Sequence, residues 1–190
     1  MLGVFQLFIL CLCVFSFSTS VHALEPQIGR CMMGSCIWTK ILNKTLVKSQ
    51  NGASLYKVQI QEGLVPHMDE NGRCLKNASF NEIPFLQKNI GWYSPTEEYV
   101  FCSNKLPAVI TTVAKIIPLS MESMSYGKAN IISVYAPVCH NITVKEFLTD
   151  KFRQDNHYED SGLETILVKK PEKLFELLNP KVLAAYENKI

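Results

Sequence analysis

Charge is missing from the start of this chain: residues 1–23 contain no Lys, Arg, Asp or Glu. Residues 4–17 are apolar apart from Gln6 and Ser16, and a short polar stretch follows that ends in Val21-His22-Ala23. Such a run falls short of the roughly 20 residues that span a bilayer, and a small residue in Val-x-Ala suits a signal peptidase. Residues 1–23 are therefore expected to be a signal peptide cut after Ala23, although no basic residue precedes the apolar run. Residues 24–190 then form one disulfide-containing domain, long enough to build a single core.

The remainder lacks any large excess of one charge. Its 19 basic and 17 acidic side chains are interspersed and leave a formal +2, which gives no footprint for nucleic acid. No second long apolar run exists, since residues 107–119 are interrupted by Thr111, Thr112, Lys115 and Pro118, so no membrane span is expected in the mature chain. Also missing are Gly-x-Ser-x-Gly, His-Glu-x-x-His, a Walker loop and a dinucleotide fingerprint, which removes the common serine and zinc hydrolases and nucleotide enzymes. No cofactor is expected. There are no internal repeats and no low-complexity tracts.

What is present is cysteine. Cleavage would discard Cys11 and Cys13 and keep five, an odd number that reads in an oxidising compartment as two disulfides and one remaining thiol. Spacing does not determine pairing. The preferred pairs are Cys31 with Cys36, around Gly34, and Cys102 with Cys139, which leaves Cys74 as the free thiol. The C-x4-C spacing of Cys31 and Cys36 also falls within the zinc range, but no second pair completes a site, and no metal is expected.

Residues 37–42 and 44–47 read as strand, Gln50-Asn51-Gly52 as a turn, and residues 55–61 as a second strand. In that strand Tyr56, Val58 and Ile60 alternate with Lys57, Gln59 and Gln61, which predicts a hairpin with one buried face. Residues 62–89 show no period and are expected to be a long loop. Strands are expected at 98–102, 107–117 and 129–139. Thr143 and Glu146 have capping-box spacing ahead of a helix over 144–153, a short strand is read at 164–168, and Pro171 and Pro180 each open a helix. Strands first and helices last predict an α+β fold: a mostly antiparallel sheet with helices in the C-terminal third packed on one face.

Three sequons, at Asn43, Asn77 and Asn141, are about what chance supplies and do not identify a host. Trp92, Tyr93 and Tyr99 are candidate binding aromatics, because large rings dominate recognition surfaces where they are exposed. The acidic run 155–160 around His157 reads as a solvated loop. Cys139-His140 invites a cysteine nucleophile with a neighbouring base, but adjacent strand residues point to opposite faces.

The early Cys31 and Cys36, the string Tyr99-Val100-Phe101-Cys102-Ser103 with Leu106-Pro107-Ala108-Val109-Ile110, and Tyr135 ahead of Cys139-His140 resemble small exported proteins of unknown function from Gram-negative bacteria. The resemblance implies a periplasmic or secreted location and carries no activity. The expectation is an exported protein that binds a protein or cell-envelope partner without catalysis, through the 62–89 loop and the aromatic strands. The alternative is a secreted hydrolase with Cys74 or Cys139 as nucleophile and His67, His140 or His157 as base.

Overall fold

The computed structural model describes residues 25–32, 34–66, 88–111, 115–119, 129–158, 166–167 and 170–187. The expected signal peptide, His67, Cys74, Asn77 and most of the expected 62–89 loop lie outside this set.

The hairpin dominates the chain. Strand β2 (Ser35–Gln50) and strand β3 (Ala53–Pro66) pair antiparallel along nearly their whole length. Asn51 and Gly52 both take positive φ, 52° and 76°, the combination a two-residue turn needs to match strand twist. Residues 62–66, expected in a loop, continue β3, because Cys36, Ile37 and Trp38 of β2 offer them partners. Strand β1 (Gln27–Met32) pairs on the outer side of β2. Strand β4 (Gly91–Trp92) and strand β5 (Thr96–Cys102) pair with β3, followed by β6 (Ala108–Ile110), β7 (Lys115–Pro118) and β8 (Ile166–Leu167). Every pairing is antiparallel.

Two expected strands take other forms. The 107–117 run folds back on itself, with Val109 opposite Ile117 and Ile110 opposite Ile116. A Val/Ile/Thr-rich run carries no turn residue to reveal the reversal. Residues 129–139 form helix α1 (Ala129–His140), in which residues 131–138 are all buried. A helix buried on all sides has no polar stripe, and its apolar run cannot be told from a buried strand by period.

Helices α2 (Val144–Phe147) and α3 (Asp150–Asp155) follow α1. The capping box closes at Thr143 and Glu146, and Thr149 caps α3 by accepting the Phe152 amide, so the expected 144–153 helix is two short ones. Pro171 opens a 3-10 turn (Pro171–Lys173) that runs into α4 (Leu174–Leu177), and Pro180 opens α5 (Pro180–Glu187). The result is an α+β fold with its helices mostly in the C-terminal third.

Alternation along the strands separates two apolar layers. Val58, Ile60, Val100 and Val109 face α1 and pack with Ile132, Tyr135, Val138 and Phe147. Their neighbours Leu55, Phe101, Ala108 and Ile110 point the other way and meet Leu174, Phe175 and Leu177 of α4. A third, smaller layer of Cys36, Trp38 and Val65 is covered by Ile90 and Trp92.

Candidate functional site

Cys31 and Cys36 are opposed in the β1–β2 register and joined, with Cα atoms 3.9 Å apart. Cys102, which ends β5, is joined to Cys139 in the last turn of α1, Cα atoms 5.4 Å apart. Cysteines bonded in this way have no thiolate, so in this form Cys139 cannot attack a substrate and Cys31 and Cys36 cannot bind zinc. Among the described residues no group of three or more His, Cys, Asp or Glu is placed to hold a metal ion. His157 is exposed in a left-handed turn with φ 47°.

Among the described residues, the face of the sheet away from α1 is covered only at its two ends. Between them lie three cross-strand rows, because residues paired across strands share a face. Lys40 stands opposite Gln61; Asn43, Gln59 and Glu97 form the next row; Thr45, Lys57 and Tyr99 form the third. Lys57 reaches diagonally to Glu97, 2.7 Å away. A bulge between Ile41 and Asn43 keeps this face polar along β2.

Trp92 and Tyr99 bound this surface. Trp92 pairs with Gly63, where a Cβ would come within 2.9 Å of the indole, so only glycine lets the ring lie flat on the strand. Tyr99 pairs with Lys57, six residues along β3, which places the rings at rows about 20 Å apart. Tyr93, 54 % exposed, follows Trp92; its amide donates to the Glu62 carbonyl and its carbonyl accepts from Gln61. Trp92 is partly buried against Trp38, and Tyr99 against the Phe101 layer. Each therefore presents an edge to solvent and lends its body to packing.

The opposite face is closed by directed polar contacts. Ser133 of α1 donates to the Asn130 carbonyl at 2.7 Å, which uses its only proton, so the buried Thr39 hydroxyl, 2.9 Å away, is the donor between them. Tyr158 hydrogen-bonds His140 Nε2, its hydroxyl donates to Tyr135, and Tyr135 donates to the Ser103 carbonyl at 3.3 Å. The rings of Tyr135, His140, Phe147, Phe152 and Tyr158 pack edge to face or tilted around this chain. Burial, then the nearby Lys44 charge, lowers the His140 pKa, and burial pushes Tyr158 up to about 12. Lys44 donates to the Val138 carbonyl and lies 4.3 Å from the Tyr56 ring centre. With every member bonded, this network has the character of a scaffold that holds α1 to the sheet.

Two carboxylates share the α1 face. Glu62 lies beside Thr39 and Glu98 beside Val58. Burial, aided by the Glu62 charge, raises the Glu98 pKa to about 7, and burial raises that of Glu62. The alternation Tyr56-Val58-Ile60 continues to Glu62, so the sequence held a signal for a carboxylate on an apolar face. The expected loop at 62–89 concealed it. The disulfide partners and the aromatics were visible in the sequence, whereas the polar rows between Trp92 and Tyr99 needed the register.

No helix among the described residues is long and apolar enough to cross a membrane, and the two disulfides are those of an oxidising compartment. Comparison with family models, with curated proteins and with solved structures yields no match to this chain.

Proposed function

We propose that this protein is exported to the periplasm or secreted, and that it binds a protein or cell-envelope partner without catalysing a reaction. The observation that carries the reading is the open sheet face: three cross-strand rows of mainly polar side chains that run from beside Trp92 to the row of Tyr99. Amide and charged groups on a rigid sheet supply hydrogen bonds for orientation. Aromatic edges add contact area with little entropy to lose. The disulfides support the location, and the bonding of Cys139 to Cys102 argues against Cys139 as the nucleophile of a cysteine hydrolase, which would need a thiolate.

Site-specific crosslinking tests this reading in living cells. A photoreactive side chain at position 59 is expected to trap one discrete partner, and the same probe at exposed Lys151 on α3 is expected to trap none. Lys57→Ala, in the row next to Gln59, should reduce the position-59 adduct severalfold. Equal adduct patterns at 59 and 151 would remove the open face as the binding surface.

A further inference from the structure

We propose that a cleft at the tip of the β2–β3 hairpin binds an acidic saccharide unit. The cleft has a volume of about 330 Å³ and is lined by Asn51 and Gly52 of the turn, by Ser103, Asn104 and Lys105 of the β5–β6 loop, and by Phe175, Leu178 and Asn179. That volume lies at the lower end of the range for small-molecule sites. The proposal rests on the reading of the protein as a non-catalytic binder and gives it a second surface, with a ligand class.

The chemistry of the lining selects the ligand. Three asparagines supply amide groups that both donate and accept, the match for paired sugar hydroxyls. Half-buried Leu178, with the small exposed edge of the buried Phe175, supplies an apolar patch for the C–H groups of a sugar ring. The cleft lining contains no acidic side chain. Lys105 stands at its edge without an ion pair among the described residues, and Lys48 lies 4.8 Å from the Phe175 ring centre, so the local charge favours a carboxylate. A phosphate fits less well, because several main-chain amides nearby are already used. Those of Lys105 and Leu106 donate to the Ser103 hydroxyl. At the start of α5, Pro180 has no amide proton, Lys181 donates to the Asn179 side chain and Val182 to the Asn179 carbonyl.

Titration calorimetry tests this on the full chain, produced by export so that its disulfides form. The probes are a muramic-acid disaccharide and a glucuronic-acid disaccharide, as acidic sugars of two sources, with chitobiose as the neutral analogue. At least one acidic disaccharide should bind saturably at micromolar to millimolar concentration, about tenfold more tightly than chitobiose. Lys105→Ala should erase that difference, as loss of a charge-assisted hydrogen bond does. Asn104→Ala should weaken both classes severalfold. Both residues are exposed, so the variants should fold, and an unchanged thermal midpoint checks this. Absence of saturable binding by either acidic disaccharide, or binding indifferent to both substitutions, would overturn the proposal. The position-59 crosslink does not involve the cleft, so its loss or survival reports separately on the open face.

Discussion

The two faces of the sheet are held by different chemistry. On the α1 face, apolar packing is combined with a buried hydroxyl pair, an aromatic cluster around His140 and a disulfide from β5 to α1. On the other face, packing among the described residues is confined to the α4 end and the Trp38–Trp92 end, with a polar surface between. Fully satisfied networks specify one arrangement, whereas a polar sheet face tolerates change. The comparison teaches that substitutions on the first face should alter stability, and those in the middle of the second should alter binding alone.

The largest effect is expected where the second face is closed. Phe101, fully buried, meets Phe175 edge to face at 5.0 Å. Phe101→Ala should cost about 3 to 5 kcal/mol in urea unfolding, and a loss under about 1 kcal/mol would show that α4 does not close that layer.

The disulfides come next and should differ from each other. Loop-closure entropy grows with the length of chain enclosed. Replacing both Cys102 and Cys139 by Ser, 37 residues apart, should therefore lower stability by about 4 kcal/mol, against about 2 kcal/mol for Cys31 and Cys36, 5 apart. Equal losses in denaturant titrations would contradict the expectation that the longer enclosed loop gives the larger stabilisation.

A smaller effect depends on pH. The folded pKa of Glu98 is about 7, against an ordinary value of 4.5. Between these values the native state holds more proton than the unfolded one, so the contribution is favourable at low pH and declines as pH rises through 7. Glu98→Gln stays neutral and should avoid about 2 kcal/mol of the wild-type loss between pH 5 and pH 8. His140, with a lowered pKa, works in the opposite sense, weakening the fold below its ordinary value of 6.5. Comparing wild type with variant cancels that contribution, and parallel pH profiles for the two would refute the role assigned to Glu98.

The smallest effect is expected on the polar rows. Lys57→Ala breaks an exposed ion pair with Glu97 and should change stability by under about 1 kcal/mol, as should Gln59→Ala. A larger loss measured by thermal unfolding would mean that the open face is part of the packed structure.

The sequence by itself determined the hairpin, through Asn51-Gly52 and the alternation of residues 55–61, together with the capping box at Thr143 and the helix starts at Pro171 and Pro180. These are local signals, since a turn, a cap or a period-two pattern acts within a few residues. It also supplied the cysteines and aromatics of the candidate surfaces. Only the tertiary structure decided that residues 129–139 are helical, because burial on all sides erases the period that separates helix from strand. It alone folded 107–117 back on itself, and it set the register that aligns Lys57 with Tyr99 and Gln59 with Glu97. The β3–β5 register arises from contacts between residues about 40 positions apart in the chain, and no local pattern encodes them.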